Sequence, residues 1–352
     1  MLGGTAVTQV RVDLYSDTIT KPTPAMRQFM CQADVGNEQE REDPTVNRLV
    51  EMVCELLGKE DAIYLPSGTM CNQIAFRVHC RQGDEIIMDE TAHPIHSEAG
   101  GVAALSGAMI RTVRGDRGIF TGDQVEAALR DPTDNHSPRS RLVSIEQTTN
   151  LGGGAVWPLE TVREVCEVAH NHSLATHMDG ARLLNAVVAS GVPAREYAKT
   201  LDSVWIDFSK GLGAPVGAVL AGSREFVREA WRFKHQFGGA MRQAGIIAAA
   251  CVYALEHHVD RLQEDHDNAR LLANGLSSID GITVEPVETN IVFFDIAGLG
   301  ITAAEFCNRL LQKGVRMIPV ASTRIRAVTH LDVDKDGITF AVDAAHDCVR
   351  AL

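Results

Sequence analysis

The residue that points most directly to chemistry is Lys210, which stands where an apolar segment meets a glycine-rich loop. The stretch 203–217 reads SVWIDFSKGLGAPVG. Partial burial favours the neutral, nucleophilic form of an amine, and glycines let a bulky group approach the backbone closely. This combination favours a lysine that forms a Schiff base with a carbonyl compound, as in enzymes that use pyridoxal phosphate (PLP). A surface lysine beside a strand explains the Ser-Lys-Gly sequence alone equally well.

A second candidate is the segment 66–69, Pro-Ser-Gly-Thr, which lies between a predicted strand and a predicted helix. Ser67 or Thr69 can cap that helix, whose free amides and positive dipole end then bind an anion such as a phosphate group. An ordinary capped helix is the alternative, and the phosphate interpretation depends on the lysine site being real.

A carboxylate and an arginine follow another predicted strand in the segment 177–182, His-Met-Asp-Gly-Ala-Arg. Asp179 can pair with a protonated pyridine nitrogen and keep a PLP ring electron-withdrawing. Arg182 has the planar fork that binds a carboxylate through two hydrogen bonds. Asp179 precedes Lys210 by 31 residues, about one strand–helix–strand unit, so neighbouring strand ends can present both to one ligand. A structural Asp–Arg pair is the alternative.

Two histidines and a glutamate, His93, His96 and Glu98, come shortly after a further predicted strand. An imidazole can stack on a flat ring or act as a base near neutral pH. A single loop histidine is more often incidental, but two of them beside a carboxylate favour a functional role.

The elements that must position these residues are strands and helices in alternation. This pattern predicts an α/β fold with a mostly parallel sheet and helices on both faces. In such sheets ligands bind beyond the carboxyl ends of the strands, where Ser67, Asp179 and Lys210 all fall. The predicted strands of this sheet are 62–65, 85–88, 109–113, 142–145, 174–178, 204–208 and 218–221.

A different pattern begins near residue 264 and predicts a small α+β domain whose adjacent strands are antiparallel. We therefore expect a large domain over residues 1–258, which includes the N-terminal segment, and a small C-terminal domain over 259–352. The strands predicted for the small domain are 282–286, 290–295, 315–319 and 324–329.

Composition excludes several other classes of function. The formal net charge of −13 argues against nucleic acid as a partner. The sequence has no apolar run of the roughly 18 residues that a membrane span needs, and its first residues lack a secretory pattern. No two of the eight cysteines have CxxC spacing, so we expect neither a metal site nor a disulfide framework. A reducing cytoplasm is the predicted location.

In their order along the chain, these motifs resemble those of the L-threonine aldolase family, PLP-dependent enzymes with the aspartate-aminotransferase-like fold (fold type I). The resemblance extends from Asp13 to the last predicted helix. The motifs that carry it are SDTITKPTPAM, EDPTVNRL, PSGTM, HMDGARLLNA, SKGLGAPVG, GGAMRQ and RAVTHLD.

The resemblance implies cleavage of β-hydroxy-α-amino acids, with threonine or allo-threonine giving glycine and acetaldehyde. It implies that Lys210 carries PLP, that Asp179 pairs with the pyridine nitrogen and that His93 stacks on the ring. The other residues that it assigns to the cofactor are Ser67, Gly68, Thr69, Arg182, Ser209 and Arg242, and those assigned to the substrate carboxylate are Ser16, Arg182 and Arg326. It also implies a homotetramer, a dimer of dimers, with Arg242 near a site shared between subunits.

The chain departs from the family pattern near the substrate side chain. Tyr15 stands where arginine is usual, Glu40-Arg41 where a tyrosine–glycine pair is common, and Thr149 where a histidine is usual. A threonine hydroxyl can hydrogen-bond the substrate hydroxyl but is a very weak base. We therefore expect Thr149 to contact the substrate and His93 or His96 to accept the proton.

Two other functions stay open. An amino-acid racemase on the same scaffold needs bases on both faces of the ring, and a catalytically idle PLP-binding protein needs none. Aldehyde release from threonine indicates the aldolase, whereas exchange between D- and L-alanine indicates the racemase.

Overall fold

Within residues 9–352, which the computed structural model describes, the strands form sheets of seven, four and two strands. In chain order the strands are β1 (Val12–Asp13), β2 (Asp61–Leu65), β3 (Asp84–Asp89), β4 (Met109–Val113), β5 (Arg139–Glu146), β6 (Ala175–Asp179), β7 (Ser203–Asp207), β8 (Ala218–Gly222), β9 (Thr283–Val284), β10 (Ile291–Asp295), β11 (Val315–Arg316), β12 (Ile318–Pro319) and β13 (Arg324–Val328).

The α-helices begin and end at residues that suit those positions, and α2 shows why. Asp43 caps its first turn, Pro44 occupies the first helical position, and Gly58 ends it with a φ of 64°. The helices are α1 (Pro24–Cys31), α2 (Pro44–Leu57), α3 (Gly68–His79), α4 (His93–His96), α5 (Gly122–Ala128), α6 (Leu159–Asn171), α7 (Leu183–Ser190), α8 (Ala194–Ala198), α9 (Arg224–Gln236), α10 (Gly245–His257), α11 (Leu262–Ser277), α12 (Ala303–Gln312) and α13 (Lys335–Arg350).

The seven-stranded sheet has the order β2-β8-β7-β6-β5-β3-β4. β8 is antiparallel to both of its neighbours, and the pairs from β7 to β4 are parallel. The predicted mostly parallel sheet is therefore confirmed, and each of its predicted strands is present. Because β2, β3, β5, β6 and β7 point the same way, their carboxyl ends meet at one edge of the sheet.

Both faces of this sheet are covered. Along β2, Ala62 and Tyr64 belong to one apolar core, whereas Ile63 and Leu65 belong to another on the opposite face. Side chains alternate between the faces of a strand, so both faces of the sheet pack against helices, as parallel sheets require.

The four-stranded sheet, β12-β13-β10-β9, is antiparallel throughout, which confirms the prediction for the C-terminal part. It has its own core, which includes Phe294 and Leu310. The single strand predicted over 315–319 is wrong, because its first half, β11, pairs with β1 while its second half, β12, pairs with β13. Val12 of β1 packs in this smaller core, and the domain boundary at residue 258 stays a prediction.

Over residues 9–352, the chain has no helix long and apolar enough to cross a membrane. The same residues contain no group of three or more histidine, cysteine or acidic side chains arranged to hold a metal ion.

Candidate active site

A cavity of about 380 Å³ lies at the carboxyl edge of the large sheet and extends to the N-terminal segment and β13. Its wall contains most of the residues predicted for the site, namely Ser16, Ser67, Gly68, Thr69, His93, Asp179, Arg182, Ser209, Lys210 and Arg326. It also contains residues to which the sequence analysis assigns no role, chiefly Tyr15, Glu146, Asn150, Trp205 and Asp207.

The start of α3 forms an anion-binding part of this wall. Ser67 caps the helix by accepting a hydrogen bond from the Met70 amide at 3.2 Å. The amides of Gly68 and Thr69 donate to no other group among the described residues, so both are free at the positive end of the helix. Position 68 requires glycine, because a Cβ there would lie 2.1 Å from the Trp205 ring.

Asp179 ends β6, and its carboxylate is held by amides on both oxygens. Oδ2 accepts from the side chain of Asn72 at 2.8 Å, and Oδ1 accepts from the backbone of Ala181 at 3.0 Å. Asn72 also donates to Glu98 at 2.8 Å, so one amide fixes two carboxylates. Burial raises the pKa of Asp179, and its ionised form therefore needs a cationic partner such as a protonated pyridine nitrogen.

His93, at the start of α4, is oriented by Glu98, whose Oε1 lies 2.9 Å from Nδ1. Burial alone would lower the pKa of His93, but the hydrogen bond to Glu98 and the nearby charge of Asp179 raise it above its ordinary value. The contact with Glu98 leaves Nε2 as the nitrogen that can meet a ligand.

Lys210 has a carboxylate partner in the cavity. Its Nζ lies 2.5 Å from Oδ2 of Asp207, the last residue of β7. At this distance the two side chains form a charge-assisted hydrogen bond. From the sequence we assign this amine no carboxylate partner, and the structure places one three residues upstream. A signal for Asp207 is present in the sequence, since this residue lies in the same stretch 203–217.

The fork of Arg182 is occupied by a carboxylate of the protein itself. Nε and Nη2 each donate to an oxygen of Asp17 at 2.7 Å, and both side chains are buried. Burial would raise the pKa of Asp17, but the adjacent guanidinium holds it well below its usual range. The two-bond contact predicted between Arg182 and a substrate carboxylate is thus replaced by the contact with Asp17, and Nη1 is the donor that remains.

Arg326 offers the cavity an unused donor. Nη1 donates to Asn150 at 3.0 Å, and Nη2 donates to the carbonyl of Tyr15 at 3.4 Å. Nε is buried and has no hydrogen-bond partner among the described residues. Since buried polar groups are nearly always bonded, this guanidinium keeps unused hydrogen-bonding capacity in a residue that lines the cavity.

Three residues predicted for the site lie outside the cavity wall. Thr149 is buried, and its hydroxyl accepts from the amide of Ala155 at 3.2 Å, so it stabilises a loop. His96 is exposed, and its Nε2 lies 2.8 Å from the carbonyl of Glu90. Arg242 is exposed as well.

Glu146 is a titratable group of the wall that ends β5. It is buried, and it accepts one hydrogen bond from the amide of Asn150 at 3.3 Å. Burial and repulsion by Asp179 raise the pKa of Glu146 to about 8. A raised pKa favours the protonated form of this carboxyl group, which makes Glu146 a candidate acid of the cavity wall.

Replacing Glu146 by glutamine should remove a loss of stability that accompanies rising pH. Because the pKa of Glu146 is raised in the folded protein, the stability that its protonated form contributes is complete below pH 4.5. That stability is lost as the pH rises to about 8. We expect the free energy of unfolding of the variant, relative to the parent, to increase by about 4 kcal/mol between about pH 5 and about pH 8.5. Urea unfolding at the two pH values measures this difference.

The exposed Glu225 provides the control, since Glu225→Gln should differ from the parent equally at both pH values. The same result for Glu146→Gln would contradict a raised pKa at that position.

The side chains of the wall fit a phosphate-bearing aromatic aldehyde. Free amides at Gly68 and Thr69 suit a phosphate group, buried Asp179 suits a ring nitrogen, the His93 imidazole suits a flat ring, and Lys210 supplies an amine. An α/β sheet that gathers such groups at its carboxyl edge is the arrangement found in PLP-dependent enzymes of fold type I.

Comparison with known proteins agrees with this class. Residues 13–298 match the family described as Beta-eliminating lyase. Low-specificity L-threonine aldolase 1 of Arabidopsis thaliana is 40% identical over 97% of this chain and 97% of its own length. A protein named Alanine racemase TOXG, of Cochliobolus carbonum, is 32% identical over 97% of this chain and 88% of its own length.

Solved structures confirm the fold. A threonine aldolase from Leishmania major superposes with a TM-score of 0.83 at 19% identity, covering 96% of this chain and 99% of that one. The aspartate aminotransferase of Rhizobium meliloti gives a TM-score of 0.70 at 18% identity, covering 97% and 92%. The chain belongs to the β-eliminating lyase family and, within it, to the threonine aldolases.

Proposed function

We propose that this protein is a PLP-dependent aldehyde-lyase that cleaves L-threonine, L-allo-threonine and related β-hydroxy-α-amino acids, including those of the phenylserine type, to glycine and an aldehyde. The observation that carries this proposal is the cavity wall that gathers Lys210, Asp179, His93 and Arg326 at one edge of the sheet. Membership of the threonine aldolases supports the reaction type.

PLP supplies a ring that withdraws electrons from the substrate Cα when it is bound. Lys210 would hold its aldehyde carbon, Asp179 its ring nitrogen, and the amides of Gly68 and Thr69 its phosphate group. Ser67 and Ser209 lie in the same wall and would border the phosphate group. Each of these groups lies at the end of a strand or in the turn or helix start that follows one, so the sheet fixes their spacing.

The substrate carboxylate would lie against Arg326, whose buried Nε has no partner among the described residues. Ser16 lines the same side of the cavity and can donate its hydroxyl. Arg182, held by Asp17, adds positive charge and its free Nη1. A carboxylate anchored in this way has its α-carbon fixed, which orients the bond that breaks.

The proton of the substrate hydroxyl would pass to Nε2 of His93. Glu98 fixes this imidazole through Nδ1 at 2.9 Å. His96 and Thr149, the other candidates for contact with that hydroxyl, lie outside the cavity wall. With one histidine near the hydroxyl, we expect weak discrimination between threonine and allo-threonine, and the name of the low-specificity Arabidopsis relative supports this expectation.

Replacing His93 by phenylalanine should lower kcat/KM by at least about 10²-fold, because the flat ring is kept while the proton acceptor is lost. The parent should also show an acidic limb of its pH–rate profile above pH 6.5, since the pKa of His93 is raised from that value, and the variant should lack this limb. The matched control is His96→Phe, which removes an exposed imidazole and should leave the rate near that of the parent. Near-normal activity of His93→Phe would refute the role of His93.

The decisive experiment for the function is aldehyde release by the purified protein with PLP. Threonine, allo-threonine and phenylserine should each give glycine and the corresponding aldehyde in equal amounts. Absence of aldehyde from all three substrates would contradict the proposal.

Amino-acid racemisation is a second candidate, which the similarity to the protein named Alanine racemase TOXG supports. Conversion of L-alanine to D-alanine at a rate comparable with, or above, aldehyde release would favour it. This assay uses the same preparation, so the two functions can be compared directly.

We also propose that the protein is a cytoplasmic homotetramer, a dimer of dimers. Eight free cysteines support a reducing location. Exposed Arg242 and an apolar groove lined in part by Met52, Leu56 and Leu255 support contact with further copies. Sedimentation velocity of the active preparation measures the assembly, and an active monomer would contradict it.

A further inference from the structure

We propose that Asp207 is a positioning residue, which holds the Lys210 amine as an ammonium ion whenever that lysine is free and so makes it a proton donor to the substrate Cα. The proton-donor role depends on the function proposed above, whereas the contact between the two side chains does not.

The Asp207 carboxylate is fixed through both oxygens. Oδ1 accepts from the amide and the hydroxyl of Ser209, at 2.8 and 2.7 Å, in the turn that follows β7. Oδ2 lies 2.5 Å from Nζ of Lys210. Asp207 is 7% exposed and the Lys210 side chain 18%, so water screens their attraction only weakly. The local backbone therefore aims this carboxylate at the lysine.

Other charges around the pair do not replace this contact. Asp17 and Asp179 act on Lys210 through space, but both carboxylates are already hydrogen-bonded to other side chains. Arg182 acts on Asp207 through space. Loss of Asp207 would leave the amine without a hydrogen-bonded carboxylate.

An ammonium ion at this position has a use in the proposed reaction. When the Cα–Cβ bond breaks, the substrate hydroxyl loses its proton to His93 and Cα must gain one. Transfer from Nζ forms the Cα–H bond, breaks an N–H bond and leaves that electron pair on nitrogen. Lys210 then becomes the neutral amine, which is the nucleophilic form.

The same charge state disfavours a competing reaction. Removal of the α-proton from an amino acid such as alanine requires a neutral amine as the base, and an ammonium ion cannot accept a proton. Asp207 therefore favours release of glycine over exchange at Cα.

The contact can be tested in the full chain freed of PLP by treatment with hydroxylamine. Limiting acetic anhydride acetylates neutral amines, and mass spectrometry of the digested protein compares the rate at Lys210 with that at Lys313. Asp207→Asn should raise this ratio about tenfold, because a charge-assisted hydrogen bond is lost. Asp207→Ser, a smaller neutral replacement, should do the same, and Asp207→Glu should keep the ratio low.

Asp295 offers a matched control. It also ends a strand and accepts from the amide two residues on, at 2.7 Å, but its second oxygen accepts from the Thr323 hydroxyl and not from a lysine. Asp295→Asn should leave the ratio unchanged. If the ratio of acetylation at Lys210 to that at Lys313 is the same as in the parent in both Asp207→Asn and Asp207→Ser, the proposal is overturned.

The proton-donor role is tested in the PLP-loaded enzyme in heavy water. Deuterium exchange at Cα of L-alanine, divided by aldehyde release from threonine, should rise about tenfold in Asp207→Asn and not in Asp295→Asn. If Asp207→Asn shows faster acetylation of Lys210 but the parent's ratio of Cα exchange to aldehyde release, the proton-donor role is overturned. If the parent releases no aldehyde, the proposed function fails, while acetylation still decides the contact.

Discussion

Replacing Lys210 by alanine is expected to lower kcat/KM for aldehyde release by about 10³-fold or more. The physical reason is that this amine is the nucleophile of the cavity wall, and alanine can neither join an aldehyde nor exchange a proton with Cα. Borohydride reduction of the parent with PLP, followed by peptide mapping, should attach the cofactor to Lys210. The alanine variant should carry no such label.

Two other lysines make this experiment specific. Lys234 is fully buried, donates to Glu38 and also donates to the carbonyl of Tyr64 at 2.7 Å, so it is held away from reaction. Lys313 contacts Asp347 in the C-terminal part at 3.3 Å, and Lys313→Ala should keep parental activity. Label on any lysine other than Lys210 would remove Lys210 from the proposed role.

Replacing Asp17 by alanine is expected to destabilise the protein by about 3–5 kcal/mol. The substitution leaves the Arg182 guanidinium buried without its anion, since Asp17 accepts both of its hydrogen bonds at 2.7 Å. It also removes one of the two acceptors of the Asn290 side-chain amide, which donates to Asp17 at 3.0 Å and to the carbonyl of Thr329 at 3.1 Å. Urea unfolding of the parent and the variant at neutral pH measures the loss.

A double-mutant cycle separates the pair from its surroundings. Arg182→Met in the Asp17→Ala background removes the unpaired charge, so the double variant should be more stable than Asp17→Ala alone. A loss of less than about 1 kcal/mol in the free energy of unfolding of Asp17→Ala would show that the ion pair contributes less to stability than expected. A double variant less stable than Asp17→Ala alone would show the same.

The cavity depends on the sheet because residues far apart in the chain meet at its edge. Asp179 ends strand β6, and Lys210 comes shortly after its parallel neighbour, β7. Both the strands and their shared carboxyl edge are predicted by the alternation of apolar and helical segments. The resemblance to the threonine aldolases, now confirmed by comparison, adds the roles that the alternation cannot supply.

Several features of the site are determined by the sequence itself. The cap at Ser67 and the strand before Lys210 depend on near neighbours in the chain. Periodicity and turn chemistry are local properties, so the residues alone predict them. The glycine-rich stretch around Lys210 is likewise a local feature that the sequence alone shows.

The partner of each side chain was decided by the tertiary structure. Arg182 bonds Asp17, a residue 165 positions away, which takes the fork that the sequence predicted for a substrate. Thr149 faces its own loop and His96 faces solvent, although both stand in motifs of the site. A motif fixes where a residue stands along the backbone, but burial and remote charges determine which group it meets. That is why Lys210 and the strand before it were predictable, whereas the pairing of Arg182 with Asp17 was not.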